Sequence, residues 1–317
     1  MMTSDTKPRM SLPAELMHEF LQYLDEDTES LRNCSLVSTS WTPSSRHVLF
    51  NHLNLDLSCL TPLPIQKAYP LIPARTSSRD CMLLEEKLEI IAGALEHTSY
   101  LSSCVRSLTL SILNYSDPMH PLRGGVAQTL IKIIGFLTSI KSLNMVLGSW
   151  HNHVGVMKST CLNMLETPSL GSVTIRDGSV RYAADITIIL QSMNQVEDLR
   201  VKGITCDFPT KSIQADATSA APSSTFTLKR LQLCCDSRVN WEIYLWLSQS
   251  FTKITLEALS VSGSLASNHI RAIQCLLKMS GPDLQMLEFT VNPPGSDQCK
   301  PSSYLTYLIP YLRTYFA

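Results

Sequence analysis

The chain has no excess of charge of either sign, no long apolar run and no paired-cysteine spacing. Its 26 basic residues stand against 27 acidic ones, so no overall field marks it as a nucleic-acid binder. No apolar stretch approaches the roughly 20 residues needed to cross a bilayer, and the opening MMTSDTKPRM has none of the apolar core of a secretory signal. The ten cysteines include no CxxC and no Cys/His ligand spacing. These absences predict a soluble intracellular protein, in cytoplasm, nucleus or both, that engages neither nucleic acid nor membrane. Cys34, Cys104, Cys234 and Cys275 stand where apolar residues would serve and read as reduced core thiols.

Motifs of catalysis are missing too. There is no GxGxxG, no Gly-Lys-Ser/Thr and no GxSxG elbow. His151 and His153 alternate as a strand pair would, but no nearby cysteine or carboxylate completes a ligand set. Gly124-Gly125 reads as a turn ahead of a helix, and Cys234-Cys235 as a strand end with one thiol inward and one outward. The sequence predicts no catalytic residue, no metal and no cofactor.

What is present begins at Leu12-Pro13. Proline suits a first helical turn, where its missing N–H would have no intrahelical partner. Leu16, Phe20 and Leu24, with Met17 and Leu21 beside them, recur at helical spacing and predict one continuous stripe. The acidic loop Asp25 to Thr28 breaks that helix. A second fits Glu29 to Trp41 with Asp27 or Thr28 as its N-cap, and a third runs from Pro43 towards Phe50. Three helices in some forty residues bury too little surface to be comfortable alone, which makes docking the physical expectation.

The order Leu12-Pro13, Glu15-Leu16, Leu31, Cys34-Ser35-Leu36-Val37-Ser38, Trp41, Arg46, Leu49-Phe50 resembles an F-box of the style common in mushroom-forming fungi. It departs at His18 and at Thr39, where a basic residue is usual. The resemblance implies a Skp-type adaptor as partner, and through it a cullin and a RING subunit. Carried over by position, Leu12, Pro13, Leu16, Phe20, Leu31, Val37 and Trp41 are the expected docking residues, with packing of the three helices against one another as the alternative role for Leu16, Phe20, Val37 and Trp41.

Beyond residue 100 a short pattern, apolar-x-x-apolar-x-apolar, returns seven times: VRSLTL (105–110), IKSLNM (140–145), LGSVTI (170–175), VEDLRV (196–201), LKRLQL (228–233), LEALSV (256–261) and LQMLEF (284–289). FNHLNL at 50–55 obeys it as well. Amphipathic segments at 83–97, 126–138, 156–166, 182–193, 240–250 and 267–279 lie between. Strand and helix alternate, so stacked units with parallel strands inside and helices outside bury both. The predicted fold is therefore α/β: a small three-helix unit followed by a degenerate solenoid that resembles a leucine-rich-repeat horseshoe. Strand starts lie roughly 26 to 35 residues apart without a regular asparagine ladder. A doubly wound sheet is the competing architecture, but its apolar runs and glycine-rich first turn are absent.

The expected organisation is a disordered segment 1–10, an F-box at 11–57, a proline-rich connector at 58–82 and the solenoid at 83–317, with a mobile insertion at 207–226. The terminal YLTYLIPYLRTYFA either covers the last repeat or continues into a longer native chain. Side-chain alternation puts Ser107, Thr109, Ser142, Asn144, Ser172 and Thr174 on the face opposite the core, followed by Arg176, Asp198, Arg200, Lys202 and Arg230. That basic group is the candidate contact for a carboxylate-rich or phosphorylated protein target, with simple solvated charges as the plainer alternative. The function expected is the substrate receptor of a Skp-cullin-F-box ubiquitin ligase. A scaffold that binds the adaptor without a cullin is the alternative, and an α/β enzyme the most distant one.

Overall fold

The computed structural model describes residues 13–24, 27–37, 41–57, 78–112, 124–153, 155–182, 184–193, 195–207, 227–234, 237–250, 254–263, 273–274, 276–278, 280 and 283–291. Leu12, Cys275, segment 1–10, most of the connector and of the 207–226 insertion, residues 267–272 and the terminal aromatic stretch lie outside them.

Three helices come first: α1 (Ala14–Gln22), α2 (Thr28–Val37) and α3 (Thr42–Leu49). Pro13 is the N-cap of α1 rather than its first turn, and its carbonyl accepts the Met17 N–H at 3.1 Å. Asp27 does the capping expected of it, accepting the Ser30 N–H at 3.0 Å and the Ser30 hydroxyl at 2.6 Å. Its carboxyl is held below the ordinary value by those bonds. The second helix ends at Val37, short of the predicted Trp41. A small core of Leu21, Leu31 and Val48, flanked by Leu24, Cys34, Trp41 and Leu49, joins the three.

The remainder is an eight-stranded, wholly parallel sheet in the order β1-β2-β3-β4-β5-β6-β7-β8. The strands are β1 (His52–Asp56), β2 (Ser107–Ser111), β3 (Ser142–Ser149), β4 (Ser172–Val180), β5 (Asp198–Cys206), β6 (Arg230–Cys234), β7 (Ala258–Gly263) and β8 (Met286–Val291). Each falls on one of the recurring apolar patterns. The order never reverses, so the sheet is not doubly wound, and crossovers that keep one hand set successive connections on the same face. Those connections carry α4 (Ser78–His97), α5 (Ser99–Cys104), α6 (Gly124–Phe136), α7 (Gly155–Leu165), α8 (Ala184–Gln191) and α9 (Ser237–Ser250). Helix α4 starts within the predicted connector, α5 is an addition to the predicted set, and Gly124-Gly125 open α6 instead of forming a turn before it.

One apolar layer runs from Leu55 to Leu284 between sheet and helices. Two in-register rows supply the sheet's half: Leu53, Leu108, Leu143, Val173, Leu199, Leu231, Leu259, Leu287, and Leu55, Leu110, Met145, Ile175, Val201, Leu233, Val261.

A backbone device repeats at every step. The Asn51 carbonyl accepts the N–H groups of Arg106 and Ser107 at 3.0 and 2.9 Å. The carbonyls of Arg106, Lys141, Gly171, Glu197, Lys229 and Glu257 do the same for the next unit, ending with Glu257 and the N–H groups of Gln285 and Met286. A main-chain acceptor needs no particular side chain, which is why the repeats stay regular in space while an asparagine ladder is missing from the sequence.

Strands β3, β4 and β5 are longer than the rest because they kink and continue. Gly148, Asp177 and Gly203 have φ of 55°, 52° and 60°, the left-handed region that glycine enters freely and aspartate tolerates. The kink shifts the alternation. In β5, Leu199 and Val201 face the core before it, and Ile204 and Cys206 after it.

Candidate interaction surfaces

The three-helix unit shows two apolar stripes on α1 where one was expected. Met17, Leu21 and Leu24 turn inward, Met17 and Leu21 fully buried. Leu16, Phe20 and Tyr23 lie roughly 100° around the helix and are exposed at 51%, 50% and 90%. At the far end of α2, Leu36 and Val37 are also open. Trp41, half-buried, meets the Phe20 ring edge-on at 5.9 Å and so links the α1 stripe to the start of α3. Thr42 donates its hydroxyl to the Ser35 carbonyl at 2.9 Å, tying that start to α2.

Of the residues expected to dock, Pro13, Leu16, Phe20 and Val37 are exposed, and Trp41 is partly so. Leu31 is not available. It is 1% exposed and belongs to the small core, because its place in α2 points between the other two helices. Tyr23 and Leu36 were missed as surface residues. Tyr23 continues the Leu16–Phe20 stripe three residues on, and that spacing was the signal for it.

The second surface is the sheet face turned from the helices. Its first row is His52, Ser107, Ser142, Ser172, Asp198, Arg230, Ala258, Met286. The second is Asn54, Thr109, Asn144, Thr174, Arg200, Gln232, Ser260, Glu288. The third is Asp56, Ser111, Val146, Arg176, Lys202, Cys234, Ser262. Cys234 is therefore a half-exposed thiol on this face, not a core thiol, whereas Cys104 is buried.

Three of the five predicted charged residues, Asp198, Arg200 and Arg230, meet here in one ion-paired group, with Arg176 and Lys202 on the third row beside it. Arg200 donates to Asp198 twice, Nε to Oδ1 at 3.2 Å and Nη2 to Oδ2 at 2.9 Å. Arg230 Nη1 lies 3.8 Å from the same Oδ2. Donating these bonds to Asp198 raises the Arg200 guanidinium pKa above its ordinary value, and the carboxylate's charge adds to this. Arg176 Nε donates to Asn144 Oδ1 at 3.1 Å, and its Nη1 is 3.5 Å from Asp177. Lys202 sits in register beside Arg176 on the next strand.

The histidine pair points apart. His153 is buried, donates Nε2–H to the Leu147 carbonyl at 2.7 Å and stands edge-on to Trp150, while His151 lies 3.5 Å from Asp207. Among the described residues no three His, Cys, Asp or Glu side chains converge as metal ligands, and no helix is long and apolar enough to cross a membrane.

No family model matches the chain, and no curated protein does. Among solved structures, a tropomodulin C-terminal domain from Caenorhabditis elegans overlaps 60% of this chain and 90% of its own, at 9% identity and a TM-score of 0.30. That likeness is too slight to inform either surface.

Proposed function

We propose that the chain is a substrate receptor of a Skp-cullin-F-box ubiquitin ligase: α1–α3 form an F-box that docks a Skp-type adaptor, and the following degenerate leucine-rich-repeat-like horseshoe holds a target protein on its open sheet face. The reading is carried by the exposed Leu16–Phe20 stripe, with Trp41 against Phe20 and Val37 exposed at the end of α2. These residues occupy motif positions, and the small core does not use Leu16, Phe20 or Val37, while Trp41 packs against its edge. Exposed apolar side chains of that size, aligned on one helix, suit burial against a partner. The protein supplies no chemistry in this role. It brings a target near a conjugating enzyme, so its contribution to the rate is proximity.

The test is co-expression with a Skp-type adaptor and a cullin, comparing wild type with a Leu16→Ala/Phe20→Ala/Val37→Ala variant. Each lost anchor costs about 1 to 2 kcal/mol, so adaptor affinity falls at least about 100-fold while the thermal midpoint of the chain stays close to wild type. Leu31→Ala should instead destabilise the three-helix unit. Undiminished adaptor binding by the triple variant, or no binding by folded wild type, defeats the F-box reading. Adaptor recovered without cullin leaves a scaffold in place of a ligase receptor.

A further inference from the structure

We propose that the basic half of the open face binds an extended, carboxylate-rich segment of a protein, and that Asp198 is a built-in competitor which holds part of this site until the segment displaces it. The inference rests on the open face being the target surface.

Depth is the first argument. The Asp198 side chain is only 15% exposed, while Arg200, Arg230 and Arg176 are 43%, 63% and 41% exposed. Asp198 lies beneath Arg200 and Arg230, so a chain arriving over these two meets positive charge first, whereas beside Arg176 the carboxylate of Asp177 is the more exposed partner at 60%. Stoichiometry is the second. Arg176, Arg200, Lys202 and Arg230 share this region with two carboxylates, Asp198 and Asp177, and two guanidiniums converge on the less exposed one, Asp198. Geometry is the third. Arg200 already grips a carboxylate with two side-by-side bonds, the arrangement in which guanidinium discriminates best for such a group. The observed anion at the site is a carboxylate, and it defines the ligand class.

The exchange is balanced, since the segment's carboxylate takes the Arg200 fork as Asp198 gives it up. Competition of this kind weakens binding without abolishing it. Lys202, on β5 in register with Arg176 of β4, offers the incoming segment a cation outside the Asp198 pairing, while Arg176 is shared with Asp177 and Asn144. On β2 to β4 the adjoining rows carry only serine, threonine and asparagine at Ser107, Thr109, Ser142, Asn144, Ser172 and Thr174, which leaves a shallow path for a chain.

The experiment is fluorescence anisotropy with the full chain and a labelled (Glu-Ser)5 peptide at low salt, beside (Gln-Ser)5, a phosphoserine peptide of equal charge and a ten-nucleotide oligothymidylate. The glutamate peptide binds and the glutamine peptide does not. Asp198→Asn, which keeps the shape and removes the charge, tightens binding about fivefold, and Asp198→Ser does likewise. Arg200→Gln with Lys202→Gln weakens it about tenfold or more. An unchanged or weaker Asp198→Asn complex overturns the competitor role. Tighter binding of the phosphopeptide or the oligonucleotide overturns the ligand class, and no binding by either wild type or Asp198→Asn overturns the site. Adaptor capture is measured on the same variants and should not change, so failure here is separable from failure of the F-box reading.

Discussion

At Gly178 the β3 backbone comes so near that an added Cβ would lie 2.6 Å from the Gly148 carbonyl oxygen and 2.7 Å from Leu147 Cβ. Neither atom is the free end of a flexible side chain, so Gly178→Ala has to move two strands apart. Overpacking of that kind costs about 1 to 3 kcal/mol, and urea unfolding should show a lower midpoint at unchanged slope. A midpoint within error of wild type would mean that the kinked rows are looser than they look. His153 gives a second residue-scale expectation. Burial lowers its pKa below the ordinary 6.5, the hydrogen bond to Leu147 opposes this, and Lys158 and His151 add to the lowering. The folded state thus refuses a proton that the unfolded chain accepts. Its stabilising contribution is complete above about pH 6.5 and is lost as the pH falls below that, at no more than about 1.4 kcal/mol per pH unit. His153→Asn should flatten the decline between pH 7 and 5, and parallel pH profiles for the two proteins would exclude His153 as its source.

Strands were the most legible elements, because the apolar-x-x-apolar-x-apolar pattern is a direct image of two inward residues on a short strand. All eight segments that carry it are strands of the one sheet, each in register with the next. Helices were legible to within a few residues at their ends, except α5, whose six residues SYLSSC are too short for periodicity to register. The candidate site was half legible. Alternation identified which face Asp198, Arg200 and Arg230 share, but alternation says nothing of partners, and the bidentate bond within β5 depends on χ angles rather than on spacing. Beyond Lys202 the alternation itself fails. The left-handed residue at Gly203 moves Ile204 to the core, and a lone glycine in a strand does not announce that turn of phase. On α1 the apolar positions merged two stripes into one, since residues at i, i+1, i+4 and i+5 read as a single broad face until the packing of α2 and α3 divides them.

Across the whole molecule, two cores of unequal size share one frame. The small core of Leu21, Leu31 and Val48 is separate from the long layer beginning at Leu55, yet only Phe50 and Asn51 lie between α3 and β1. Asn51 is also the first carbonyl of the repeating acceptor ladder, and the Tyr100 hydroxyl on α5 donates to the Pro43 carbonyl on α3 at 3.0 Å. These ties fix the exposed α1 stripe relative to the open sheet face, as the proposed receptor role would require. The Tyr100 bond is the tie whose removal leaves both cores intact. Tyr100→Phe removes a hydrogen bond worth about 0.5 to 1.5 kcal/mol, so amide exchange should accelerate by roughly 2- to 12-fold across α1–α3, where opening is local, while β3–β6 exchange as before. Acceleration spread evenly over both regions would show a single cooperative body. No acceleration anywhere would show that the β1–β2 pairing alone holds the three helices in place.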